Sequence, residues 1–348
     1  MPQAMRRSAD KPAGCIAIPK GLISEKRLCQ RMNMEINDDE LNLAYLKRMG
    51  PLSDMILLLR SLWIRSIARE ERTAQEKVYF NLFDVIVNNA GVSSIITTLV
   101  DTVKAHPTQK NGQKKLEELA ASDDLSLRPA HACFVNAHNF NLATDNPDYM
   151  RVLKQADFVL PDGIGVKFAL RMAGGRLRKN LNGTDLFPSL MSALGQEGWA
   201  IYLLGAEQTV LDRACENIAR MYPDVIIAGR HNGYFSFADE PALADGINRS
   251  GAQVLVLGMG TPRQELWAAR NLNRLHVPLA MSMGGVLDFL GGKNKRAPLW
   301  MRQCGLEWFF RMMQEPRRLW RRYIIGNNIF VFRALKWRRS QERKGTRI

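Results

Sequence analysis

What these 348 residues lack narrows the field first. No apolar run reaches the ~18–20 residues a membrane-spanning helix needs. The five cysteines, Cys15, Cys29, Cys133, Cys215 and Cys304, form no CxxC pair; that fits a reducing compartment and argues against a zinc site or a disulfide framework. The charged N-terminus is not followed by the apolar stretch of a signal peptide, so a cytoplasmic protein, soluble or peripheral, is expected. GxGxxG and Walker-lysine patterns are missing, as are HExxH and DxD, and no Ser-His-Asp order can be defended. His131, His138, His231 and His276 lack metal-ligand spacing. The expectation is a chemistry without metal or cofactor, in which backbone amides and Arg/Lys neutralise any phosphate leaving group.

What is present is strongly basic, and unevenly so. The formal net charge is +15, yet the stretch from Lys293 to the end holds 16 Lys/Arg against Glu307, Glu315 and Glu342. An excess so concentrated points to an anionic partner surface. Residues 1–35 mix Pro, Gly and basic residues without periodicity and are expected to be disordered. Residues 39–69 turn helical, with MILLLRSLWI at Met55–Ile64 suited either to a membrane surface or to docking on the main body. Residues 107–128 are polar and read as a surface insertion.

From about Val78 strand and helix patterns alternate. Strands are expected over 79–87, 132–135, 157–160, 200–204, 225–228, 253–257 and 278–283, with helices over 93–105, 147–155, 166–172, 185–194, 208–221, 241–248, 264–272 and 286–290. Near-continuous apolar strands separated by helices predict an α/β fold, a parallel sheet covered on both faces. Beyond Lys293 the pattern changes. Leu306, Phe309, Phe310 and Met313 follow helical spacing, and Pro316 ends or kinks that helix. Arg317/Arg321 and Arg318/Arg322 then pair at i, i+4, while Leu319/Tyr323 and Trp320/Ile324 form an apolar face. A basic amphipathic helix with Trp at its boundary is an interfacial membrane signature; the alternative is an ordinary helix with a solvated charged face.

The chain is organised around DFVLPDGIG, Asp157–Gly165. A buried strand is closed by Pro161, and Gly163 and Gly165 permit a tight turn into the next helix. Asp162 therefore stands at the carboxyl end of a parallel strand, where open α/β sheets place ligands. Spacing alone leaves it open between chemistry and capping the following helix. Further glycine turns, Gly205, Gly258/Gly260 and Gly284/Gly285, fall at strand ends and could cradle phosphate. The richest is GMGTPRQE, 258–265, in which Glu265 could be no more than a charge favoured at a helix N-terminus.

FVNAHNFNLATDN, LPDGIGVKFALRMAG, NLNGTDL, YLLGAE, GMGTPRQE, MGGVLDFLGG, RAPLWMRQCGLEWFFR and EPRRLWRRY follow in this order. Together they resemble the WecG/TagA/CpsF glycosyltransferases, glycosyltransferase family 26, over roughly three quarters of the chain. The resemblance implies a Rossmann-like, doubly wound, mainly parallel sheet of the GT-E type over 76–295. It also implies a basic helical appendage over 296–348 that associates with an anionic membrane and helps complete the active site, with 1–75 as an extension. It implies inverting, metal-independent transfer from a UDP-sugar to a polyprenyl-diphosphate-linked saccharide on the inner face of the cell membrane.

Carried over residue by residue, Asp162 matches the family's general base. Asn136, Asn180, Gly183, Asp185, Gly205, Gly258, Gly260, Gln264, Glu265 and Gly284 match its donor site, and Arg296, Arg311, Arg317, Arg318, Arg321 and Arg322 match its contacts to diphosphate or lipid headgroups. Two positions depart from the family pattern: Phe134 stands where threonine is usual, and Asn180 where arginine is usual, so that either Arg178 or Lys179 takes over that charge or the position marks a subgroup with a different donor. NLNGTDL is similar to the exopolysaccharide branch, as in the xanthan glucosyltransferase, so UDP-glucose is the expected donor, with N-acetylmannosamine or its uronate as the alternative. A Rossmann-type nucleotide-sugar oxidoreductase is a rival of another class, disfavoured by the missing GxGxxG. Nucleic-acid binding lacks any recognised motif. Homo-oligomerisation stays open.

Overall fold

The computed structural model describes residues 78–106, 128–172, 177, 180–303 and 305–343, all within one unit, Thr73–Ile348. The expectations for residues 1–75, for the insertion at 107–127 and for Arg178 and Lys179 lie outside the described residues.

The unit begins with β1 (Tyr79–Leu82) and β2 (Val85–Asn88), an antiparallel pair, followed by α1 (Val92–Ala105). The main sheet is built from β3 (Ala130–Val135), β4 (Phe158–Pro161), β5 (Ala200–Gly205), β6 (Ile226–His231), β7 (Val254–Gly258) and β8 (Leu279–Ser282). Its order is β4-β3-β8-β7-β5-β6, and every pairing is parallel. Helices α2 (Ala137–Asp145) and α3 (Pro147–Gln155) follow β3, α4 (Ile164–Met172) and α5 (Gly183–Gln196) follow β4, and α6 (Gln208–Met221) follows β5. Then come α7 (Glu240–Arg249), α8 (Arg263–Asn271) and α9 (Val286–Leu290), one after each remaining strand.

Alternation within the strands explains the two-sided cover. Ala132, Phe134, Ile201, Leu203, Val254, Val256, Leu279 and Met281 point to one core with α1, α5, α6 and α9. Cys133, Val135, Tyr202, Leu204, Leu255, Leu257 and Ala280 point to the other face, where α2, α3, α4, α7 and α8 lie. With helices against both faces, most strand positions are apolar, which is why β7 reads as an unbroken apolar run, and the buried polar pair of the sheet, His131 on β3 and Ser282 on β8, is hydrogen-bonded at 2.9 Å. The protein is a doubly wound α/β fold.

The predicted single strand over 79–87 is instead a hairpin. Phe83 and Asp84 turn the chain, with φ of 55° and 62°. A two-residue turn with both residues left-handed usually carries Asn-Gly. Here the strain of a bulky residue at positive φ is offset by packing: the Phe83 ring lies 5.4 Å from Phe140, 5.9 Å from Phe330 and 5.6 Å from Trp337.

After Lys293 come α10 (Leu299–Gln303), α11 (Glu307–Gln314), α12 (Pro316–Trp320), a π turn at Arg321–Ile325 and α13 (Gly326–Arg343). Pro316 opens α12 rather than only ending α11, as suits a first helical position. α13 is seated on the body. Phe330 is 1% exposed in the core with Phe83 and Phe140. Asn141 Nδ2 donates to Gly326 O at 2.7 Å, and Arg333 pairs with Asp145 at 2.6 Å.

Candidate active site

All six strands of the main sheet end on one edge, and the expected site residues collect there. Asp162 follows β4. Its N–H donates to Val135 O at 2.8 Å, which aligns the ends of β3 and β4. The first N–H of the turn, that of Gly163, goes to Asn180 Oδ1 at 2.6 Å and not to the Asp162 carboxylate. Asn180 thus supports the Asp162 turn from the connecting segment that also gives Leu181 N–H to Pro161 O.

The Asp162 carboxyl is pushed up to about 6. Burial is the main cause, with Glu307 and Asp185 acting in the same direction and Arg311 and Arg322 opposing. A carboxyl that ionises just below neutrality among guanidinium groups is suited to take a proton at physiological pH.

Asn136 follows β3 directly and caps α2. Its Oδ1 accepts from the N–H of His138 at 3.0 Å and of Asn139 at 3.3 Å, while its own N–H donates to Asn139 Oδ1 at 3.1 Å. This Asn-x-x-Asn box starts a helix over 137–145 that the periodicity did not suggest. The capping pattern in NAHN is the signal that could have found it. His138, in the first turn, is pushed down to about 4 by burial and then by Arg322, so it is a neutral imidazole at neutral pH.

The tail supplies the cations. Arg322 Nη2 donates to Asn136 Oδ1 at 3.5 Å. Arg311 lies over the Phe289 ring at 5.1 Å, and a Cβ on Gly285 would stand 3.0 Å from Arg311 Nη2, so the glycine after β8 makes room for that guanidinium. Arg296 meets Asp185 at 2.5 Å and Glu307 at 3.6 Å, and Arg302 meets Asp185 at 3.9 Å. The Nε–H groups of Arg296, Arg302, Arg311 and Arg322 are buried without a hydrogen-bond partner, that of Arg296 having only the 3.6 Å ion pair with Glu307. Buried, under-satisfied guanidinium donors grouped near a carboxyl are a ready site for a polyanion.

The six predicted arginines divide. Arg296, Arg311 and Arg322 turn into the site, whereas Arg317, Arg318 and Arg321 are exposed, Arg318 paired with Glu315 and Arg321 over Trp320. The π turn at Arg321–Ile325 breaks the i, i+4 register on which the sequence paired Arg318 with Arg322. Such turns insert one extra residue per turn and recur at functional sites. The expected apolar face divides as well: Leu319 is buried, while Trp320 and Ile324 are exposed.

Gly205, Gly258, Gly260 and Gly284 all lie at strand ends, and here β5 and β7 come closest. Gly205 has φ 149°, and a Cβ there would fall 2.4 Å from the Gly258 carbonyl carbon. Ala206 N–H donates to Gly258 O at 3.1 Å, and Gly233 N–H to Ala206 O at 2.9 Å. Gly183 opens α5 below Met283, and Asp185, two residues on, is held by the tail arginines. Gln264 and Glu265 are 1% and 0% exposed. Glu265 stands in the first turn of α8, as spacing allowed, but buried rather than solvated. Burial pushes its carboxyl up to about 7.

Glu307, Arg302, His138, Asn139 and Thr261 are site or site-supporting residues that sequence reasoning did not single out. Among the described residues no three His, Cys, Asp or Glu side chains group as a metal site, and no helix is long and apolar enough to cross a membrane.

The family described as glycosyl transferase WecG/TagA/CpsF matches residues 101–344. The N-acetylglucosaminyldiphosphoundecaprenol N-acetyl-beta-D-mannosaminyltransferase of Bacillus spizizenii is 35% identical over 198 residues, covering 57% of this chain and 76% of the relative. The protein of the same name from Bacillus subtilis is 33% identical over 182 residues, covering 52% of this chain and 70% of the relative.

Proposed function

The chain belongs to the glycosyl transferase WecG/TagA/CpsF family, and from that premise we propose that it moves an N-acetylmannosamine-type sugar from a UDP-sugar to a polyprenyl-diphosphate-linked N-acetylglucosamine. Both relatives carry that sugar and acceptor in their names, whereas nothing supports the glucose donor expected from NLNGTDL. The observation that carries the transfer chemistry is Asp162, at the end of β4 with Arg311 and Arg322 acting on its carboxyl.

The acceptor hydroxyl attacks the anomeric carbon, and Asp162 takes its proton as the new C–O bond forms. The bond from that carbon to the diphosphate breaks, and UDP leaves with the electron pair. Arg311 and Arg322 neutralise the phosphate charge without a metal. One displacement on one face inverts the anomeric centre. Arg317, Arg318 and Arg321, with exposed Trp320, Ile324 and Phe332, form a basic and apolar surface suited to the headgroup region of an anionic membrane on its cytoplasmic side.

The test is a donor panel on full-length protein in EDTA: UDP-N-acetylmannosamine, its uronate, UDP-glucose and GDP-mannose against lipid-diphosphate-N-acetylglucosamine and lipid-diphosphate-glucose. Transfer from UDP-N-acetylmannosamine is expected. Transfer from UDP-glucose alone would reverse the donor assignment in favour of the Asn180 branch, and a strict requirement for divalent metal would remove the arginine account of the leaving group.

A further inference from the structure

One buried polar chain reaches the site from behind. Thr261 Oγ1 donates to Glu265 Oε1 at 3.0 Å, and Gln264 Nε2 donates to the same oxygen at 2.9 Å. Asn139 Nδ2 donates to Thr261 Oγ1 at 3.1 Å and to Tyr149 OH at 2.9 Å. Asn139 Oδ1 accepts the N–H of Asn136, on whose side chain Arg322 rests. Glu265, Thr261, Asn139 and Asn136 thus form a continuous line from the start of α8 to the end of β3.

We propose that Glu265 is a positioning residue for Asn136, and that it holds this line together as a neutral carboxylic acid. Two buried oxygens on adjacent residues, Gln264 Oε1 and Glu265 Oε2, have no hydrogen-bond partner. Two acceptors buried together lack a donor, and a proton on the carboxyl supplies one. The titratable groups that face Glu265 are Cys133 on β3 and Tyr149 on α3, both held in their neutral forms chiefly by burial. No cation acts on the carboxyl among the described residues. An ionised Glu265 would therefore be an uncompensated buried charge in contact with two groups that position the site.

This inference rests on the proposed transfer reaction, and its test separates the two. In the full-length protein, with UDP-N-acetylmannosamine and lipid-diphosphate-N-acetylglucosamine, turnover of the wild type should fall about tenfold per pH unit above neutrality as Glu265 ionises. Glu265→Gln, which cannot ionise, should retain turnover into the alkaline range, so its rate relative to wild type rises between pH 7 and pH 9. Glu265→Ala and Thr261→Val, which cut the line at two points, should each lose turnover by ~100-fold through displacement of the site. A Gln-to-wild-type ratio that is constant with pH, or full turnover by Thr261→Val, overturns the positioning role.

Thermal melting decides the protonation independently of turnover. A carboxyl raised to about 7 in the fold stabilises most below its unfolded value and loses that contribution as pH rises through 7. The melting temperature of Glu265→Gln should therefore gain on wild type between pH 5 and pH 8. A flat difference overturns the neutral acid even if no donor is ever transferred; a gain without transfer retains the inference and overturns the transfer reaction instead.

Discussion

Arg322 and Asn136 meet at 3.5 Å although 186 positions separate them. One comes from the π turn of the tail and the other from the end of the first strand of the main sheet, so this contact joins the tail to the carboxyl edge of the sheet. It also divides the basic residues of the tail by task, and that division can be measured.

Arg311→Ala and Arg322→Ala should each lower turnover by ~10²–10³-fold while leaving the protein folded, because each removes a cation that acts on Asp162 and that the proposed reaction uses to neutralise the leaving diphosphate. Arg317→Ala and Arg321→Ala should cost little turnover with a soluble acceptor analogue, yet weaken sedimentation with anionic liposomes. Equal loss of turnover in all four variants would show that the inward and outward groups are not distinct.

Asp162→Asn should abolish transfer by at least ~10²-fold, the usual worth of a positioned base. Since the Asp162 carboxyl is raised to about 6, its stabilising contribution is complete below the unfolded value and lost as pH rises through 6. The variant should therefore melt at or above the wild-type temperature at pH 7.5. Near-wild-type transfer would remove Asp162 from the mechanism.

The acid limb of kcat/KM should follow Asp162, rising through pH 6. Glu307 raises that carboxyl and Arg311 lowers it. Glu307→Gln should therefore move the limb to lower pH, and Arg311→Gln should move it to higher pH, both read from residual rates. Shifts of the opposite sign would place another group on that limb.

Phe330→Ala should destabilise the fold by about 3–5 kcal/mol, the range for deleting a buried aromatic side chain. Its effect on turnover should exceed its effect on sheet stability, because α13 positions the π turn that carries Arg322. Melting followed together with turnover below the melting range would detect this.

The sheet was legible because both of its faces are covered: Val254–Leu257 and Ile201–Leu204 had to be apolar throughout, whatever packed on them. The hairpin at Phe83–Asp84 was not, since its turn carries none of the usual residues and is held by the aromatic partners Phe140, Phe330 and Trp337 from distant segments. Asp162 was placed correctly at its strand end by Pro161 and Gly163. The burial of Glu265 was hidden, because a glutamate in the first turn of a helix reads as a surface charge until Thr261 and Gln264 are seen to enclose it. The inward turn of Arg322 was equally hidden. An α-helical count pairs it with Arg318, and only the π turn separates them.

That turn also makes the edge a composite of segments far apart along the chain. Asn136, Asp162 and the glycine-lined strand ends come from the sheet, whereas Arg311 and Arg322 come from the helices that follow Lys293. Phe330, packed with Phe83 and Phe140, fastens the second group to the first. Loosening that aromatic contact would separate the carboxyl of Asp162 from its cations without altering either.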